Sequence, residues 1–200
     1  LTTHGATWLM VKASGPVAER ARAYGSLTAL ATVVLFILGG VGLMVFVPGY
    51  RFTSTPDLLG PSNPLLKTVV LERGVWFANY AAHPWTLVAP ALGVVGPLLT
   101  FLAMRARLEG VSFLVSALGI FGIIATVGVS MFPFILPSSV DPRSSLTVWD
   151  SSSSHITLFI MLVVALIFLP IIFAYTAWVY RVLWGKVDTA MVTDKNGHAY

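Results

Sequence analysis

Hydrophobic and polar positions along this chain are sorted into long blocks rather than interleaved. Four blocks, residues 26–47, 85–104, 111–136 and 156–183, are almost wholly apolar. A hydrocarbon core takes about 20 such residues to cross. The first three blocks carry no ionised residue, and the fourth carries none before Arg181, where it leaves the membrane. In lipid each backbone must satisfy its own hydrogen bonds, so the blocks are expected to be helices. The opening Leu1-Thr2-Thr3-His4-Gly5-Ala6-Thr7-Trp8-Leu9-Met10-Val11 looks like the last turns of another apolar helix, so the chain is expected to be part of something longer. The fold class is therefore an all-α membrane protein, a four-transmembrane-helix bundle over residues 15–184. The end of a preceding helix (1–14) and a cytoplasmic tail (185–200) flank it.

The polar stretches between the blocks hold the remaining signals. Residues 50–84 are too many for a plain hairpin. Asn63-Pro64 can start a helix, with Asn as cap and Pro in the first position. At about 100° per residue, Leu65, Leu66, Val69, Val70, Trp76, Phe77 and Tyr80 then share a face, with Lys67 and Gly74 opposite. An outer amphipathic helix is the expectation, with Arg73 on its apolar face beside Trp76 and Phe77. There Arg73 either snorkels or stacks, or it meets a lipid phosphate or a partner's carboxylate; the partner contact is the hypothesis carried forward. In the second outer stretch, Trp149 marks the membrane boundary. Asp150 and the serines precede the fourth block and suit helix capping. Within the blocks, Gly39, Gly40, Gly42, Gly93, Gly96, Gly119, Gly122 and Gly128 suit close helix packing, or else cavities for a quinone or a gas. Pro90, Pro97, Pro133 and Pro170 are expected to kink their helices.

Composition sharpens this. Hydrophobic residues make up 56% and charged residues 10%, against about a quarter charged in soluble domains. Soluble enzymes and nucleic-acid readers are excluded. The net charge of +4 is better explained by topology than by nucleic acid. Lys12, Arg20, Arg22, Arg105, Arg107, Arg181, Lys186 and Lys195 fall on one side of the spans, and Arg51, Lys67, Arg73 and Arg143 on the other. The richer side is expected to be cytoplasmic, which places the C-terminus there. With no cysteine there is no thiolate metal site or disulfide. None of His4, His83, His155 and His198 lies in the middle of a complete span, where a membrane haem finds its axial ligand. No metal or nucleotide motif is present. The complete spans hold no Asp, Glu, Lys or Arg for proton coupling, so the chain looks like a supporting subunit. Half of a repeat-built transporter is the alternative.

Four stretches go further. His4-Gly5-Ala6-Thr7-Trp8-Leu9 with Lys12 resembles the end of the fourth membrane helix in subunit II of cytochrome bd-type quinol oxidases. Met131-Phe132-Pro133-Phe134 and Pro137-Ser138-Ser139, followed by Ser145-Leu146-Thr147, Trp149-Asp150 and Ser153-Ser154, resemble that family's outer loop before its last helix. Tyr175-Thr176-Ala177-Trp178, Tyr180-Arg181 and Gly185-Lys186 are similar to its C-terminal helix end, and Pro97-Leu98-Leu99-Thr100 also fits. The resemblance implies a bacterial inner-membrane complex that oxidises quinol and reduces dioxygen to water. It also implies haems b and d in a haem-bearing subunit I, and an N-terminal half of subunit II beside this one. Acidic residues of the family's proton path lie on earlier helices and have no counterparts here. No catalytic residue or metal ligand is expected in this chain. Its apolar grooves leave room for a structural quinone or lipid. Arg73, Trp76, Trp149 and Asp150 are the residues expected to contact lipid or partner.

Overall fold

The structure, a computed structural model, describes residues 1–54 and 63–187. Among them are α1 (Thr2–Lys12), α2 (Gly15–Phe46), α3 (Ala78–Ala82), α4 (Val88–Arg105), α5 (Glu109–Met131) and α6 (His155–Val182). Two antiparallel hairpins accompany them, β1 (Gly49–Phe52) with β2 (Val69–Glu72), and β3 (Phe134–Leu136) with β4 (Leu146–Thr147). Four helical stretches, Gly15–Phe46, Pro84–Arg105, Glu109–Met131 and His155–Val182, are long and apolar enough to cross a membrane. The protein is thus an all-α membrane protein, with four candidate spans among the described residues. The expected tail lies almost wholly outside the described residues, as do Lys195 and His198.

The span ends differ from the expected ones for local reasons. Ser14 is extended and Pro16 occupies the first helical turn, so α2 starts well before its apolar block and carries Glu19, Arg20 and Arg22 on helix. Pro133 does not kink the third span but ends it. A residue before proline is pushed out of the α region, and Phe132 accordingly turns extended after Met131. Pro90 falls in the first turn of α4, where its missing N–H removes no helical bond, while Pro97 sits buried inside that helix.

Helices α4 and α5 form a tight antiparallel hairpin, turned at Arg107 with φ 60°. Their contact is glycine on glycine. A Cβ on Gly96 would lie 2.4 Å from Gly119 Cα, and one on Gly122 would lie 2.5 Å from Gly93 N. Neither position admits a side chain without separating the helices. Helices α1 and α2 pack against this hairpin around Ala6, Met10, Ala21 and Met104.

The four helices that pack together are not the four spans. The short α1 takes the fourth place, and α6 stands outside with no buried residue. One end of α6 is fastened to the basic end of the bundle. Lys12 Nζ donates to Leu183 O at 2.7 Å, Val187 N donates to Lys12 O at 2.7 Å, and Trp8 meets Tyr180 edge-on at 5.6 Å. Lys186 also reaches Glu109 at 2.5 Å.

The outer amphipathic helix is not formed. Asn63 does cap a start, accepting from Leu65 N at 3.0 Å, but only one 3-10 turn follows, Pro64–Leu66. The β-branched Val69 and Val70 then join a strand, because Gly49–Phe52 offers an extended partner in register. Helical structure resumes as a second 3-10 turn, Val75–Phe77, that leads into Ala78–Ala82.

Candidate functional site

The two hairpins meet over the end of the bundle opposite Lys12 and form an outer cap. Its centre is an ion pair between Lys67 and Asp150, with side chains 5% and 12% exposed. Lys67 comes from the link before β2 and Asp150 from the turn after β4, so one bond ties the first outer loop to the second. Thr147 N donates to Asp150 Oδ1 at 2.8 Å, and Ser151 Oγ donates to it at 3.1 Å. Burial alone would raise the Asp150 carboxyl. The bonds from Lys67, Thr147 and Ser151 outweigh it and hold the group below its ordinary carboxylate value.

A run of rings crosses the cap. Trp76 lies 5.7 Å from Tyr50, Tyr50 lies 5.7 Å from Phe134, and Phe134 stacks on Phe52 at 4.9 Å. Phe52 then meets Trp149 at 5.7 Å, and Trp149 meets Phe132 at 6.0 Å. Tyr50 donates its hydroxyl to Ser138 O at 2.9 Å, joining the hairpins again.

Below the cap, α2, α4 and α5 part to leave an apolar groove of about 880 Å³. Phe36, Gly40, Leu43, Pro90 and Val127 form its walls, while Trp76, Phe77 and Tyr80 close its outer end. The segment that carries them is tied to the end of α5 through Asn79 and Tyr80. Asn79 Nδ2 donates to Val129 O at 2.7 Å and Phe132 O at 2.6 Å, carbonyls that the helix terminus leaves unpaired. Tyr80 Oη bonds Ser130 Oγ at 2.9 Å.

The expected site residues fare differently. Trp149 and Asp150 sit together in the cap, and Trp76 joins them through the ring run. Arg73 is exposed on the turn after β2, away from that cluster, because Gly74 with φ 79° turns the chain there. Asp150 does not cap α6; Ser154 does, accepting from Thr157 N. His155 follows that cap and is exposed, as is His83 in its loop. Lys67 was expected on a solvated helix face and is instead buried. Its signal was a lone cation among Leu65, Leu66, Val69 and Val70, with Asp150 beside Trp149 in the other loop. Asn79 gave no signal in sequence, since its role exists only once α3 meets α5.

The profile of the family described as cytochrome bd terminal oxidase subunit II matches residues 1–183. The chain is 43% identical over 199 residues to a protein of Haemophilus influenzae named probable cytochrome oxidase subunit 2. It is also 43% identical over 199 residues to cytochrome bd-I ubiquinol oxidase subunit 2 of Escherichia coli K12. Each alignment covers 100% of this chain and 52% of the relative, so the chain spans about half the length of the curated relatives it matches.

Proposed function

This chain belongs to the cytochrome bd terminal oxidase subunit II family, and from that membership we propose that it works as a non-haem part of a quinol oxidase. In that complex quinol is oxidised and dioxygen is reduced to water. The observation that carries this reading is the family match along nearly the whole chain, cap and spans included. The transporter alternative finds no support in it.

The described residues do not fit a haem. His4 is engaged with Ser116 Oγ at 2.7 Å and stacks on Phe113, and no histidine lines the groove. The proposal therefore assigns haems b and d to the haem-bearing subunit I. It assigns to this chain the support of that subunit, alongside the remaining length of subunit II that the relatives possess. The unpacked α6, apolar on every side, is the surface available to such neighbours. The groove under Trp76 suits the tail of a structural quinone or lipid. Arg73, exposed beside the cap, is assigned to a lipid phosphate or a partner's carboxylate. An Arg73→Ala oxidase that assembles and turns over normally would remove that contact.

The basic end, with Lys12, Arg22 and Lys186, is assigned to the cytoplasm of a bacterial inner membrane. The test is a dithionite-reduced-minus-oxidised spectrum of the complex captured through a tag on this chain. Haem b and d bands in the complex, absent from the chain alone, are expected. A colourless capture from membranes that contain haem d would overturn the assignment.

A further inference from the structure

The turn between α4 and α5 carries a residue that its backbone does not favour. Ala106 N donates to Leu102 O at 2.9 Å, Arg107 N to Met104 O at 3.2 Å and Leu108 N to Ala103 O at 2.9 Å. Bonds of this pattern close a helix with one residue in the left-handed region, a position usually taken by glycine. Here it is Arg107, with φ 60°, the one non-glycine residue of positive φ among the described residues. Its Cβ makes that backbone costly, where glycine would adopt it freely. A strained residue of this kind points to a use for its side chain.

Arg105 stands two residues away, at the end of α4. Its guanidinium lies 5.4 Å from the centre of the Phe101 ring, one turn back, so it folds against the end of the span. The helix dipole accounts for a cation in that last turn, but not for a second one at Arg107 beyond it. Glu109, the nearest acid in sequence, is taken by Arg22 at 3.7 Å and Lys186 at 2.5 Å. Among the described residues neither Arg105 nor Arg107 has a carboxylate partner, and both are exposed. Hydrocarbon leads up to them. Val95, Leu98, Leu99 and Leu102 are 46%, 37%, 45% and 56% exposed, and their spacing of three and four continues to Arg105. The open face of α4 is thus an apolar stripe about two turns long that ends on two unneutralised guanidinium groups.

We propose that Arg105 and Arg107 hold the headgroup of an anionic phospholipid whose acyl chain lies along residues 95–102 of α4. A guanidinium presents paired N–H donors to phosphate oxygens, and two of them on one tight turn match a single phosphate. The apolar stripe then receives the chain, which a free anion lacks. The site needs neither haem nor quinol, so it stands apart from the oxidase reading.

The test uses the complete complex containing this chain, purified in detergent, with dioleoyl phosphatidylglycerol added and bound lipid counted by native mass spectrometry. Several lipids bind any membrane complex, so the quantity read is the difference between parent and variant. Arg107→Gly removes one guanidinium and suits the left-handed turn. It is expected to weaken the tightest phosphatidylglycerol site about fivefold without lowering the thermal midpoint, and adding Arg105→Gln should bring the loss to about twenty-five-fold. Dioleoyl phosphatidylcholine should not distinguish parent from variant, and inorganic phosphate should not displace the phosphatidylglycerol. Unchanged phosphatidylglycerol affinity in the double variant overturns the proposal, as does an equal loss for phosphatidylcholine. Displacement by inorganic phosphate would make this a free-anion site and overturn the lipid. A cryo-EM map of the complex with a partner's carboxylate seated on Arg105 and Arg107 overturns it too. The haem bands of each preparation report the oxidase reading on a separate channel.

Discussion

At the scale of single residues, the Lys67–Asp150 pair carries the sharpest consequence. Removing one partner of a buried pair leaves the other charge uncompensated, at a cost of about 3 kcal/mol. Lys67→Met should therefore speed amide exchange in the β3–β4 hairpin by about a hundredfold. Replacing both partners together, as Lys67→Met with Asp150→Leu, should recover most of the loss. A double variant as loose as the single one would show that the pair is not what locks the cap. Folding lowers the Asp150 pKa, so its stabilising contribution is full above the ordinary carboxylate range and fades as pH falls through the lowered value. Melts of parent and Asp150→Asn should be well separated at neutral pH and converge in acid. An equal gap at every pH would count against the pair. This contact was half legible in the sequence. A lone Lys in apolar company and an Asp next to Trp149 are visible there, but residues 83 positions apart become neighbours only through two hairpins.

Among the elements, the spans were legible and the outer loops were not, for one physical reason. Membrane crossing depends on a run of apolar residues that any window along the chain reveals. Whether Val69–Glu72 is helix or strand depends on an extended partner some twenty positions earlier, Gly49–Phe52. The alternation there satisfied helical spacing by coincidence, and pairing won. The glycines carried more information than their number suggested, and only geometry separates their roles. Gly96→Ala drives a Cβ to 2.4 Å from Gly119 Cα and should cost about 2 kcal/mol, seen as poor recovery of folded complex. Gly40→Ala meets nothing within 4 Å, lines the groove, and should stay within about 0.5 kcal/mol of the parent. Equal effects at the two positions would mean that α4 and α5 are not in glycine contact. Asn79→Ala should loosen the outer end of α5 by about 1–2 kcal/mol, since two carbonyls lose their donor. Protection of the amides near Ser130 would report it.

On the scale of the whole molecule, the outstanding feature is a bundle of α1, α2, α4 and α5 with α6 pinned beside it. The fastenings at the basic end gather near helix ends: Lys12 on the carbonyl of Leu183 just past α6, Lys186 on Glu109, Trp8 against Tyr180. None grips the length of α6 within the membrane. A helix apolar all round is at home either in lipid or in the interior of a larger assembly, and these alternatives differ in symmetry. Lipid treats every face alike, whereas neighbouring helices cover a stripe. The chain contains no cysteine, so single cysteines can be placed at each position from Leu158 to Ile172 with no background from the chain itself, the parent oxidase serving as the labelling control. A lipid-soluble maleimide should then label them with a period near 3.6 residues, sparing one face. Uniform labelling around the helix would place α6 in lipid alone and sink the reading of α6 as the surface against which the rest of the oxidase is built.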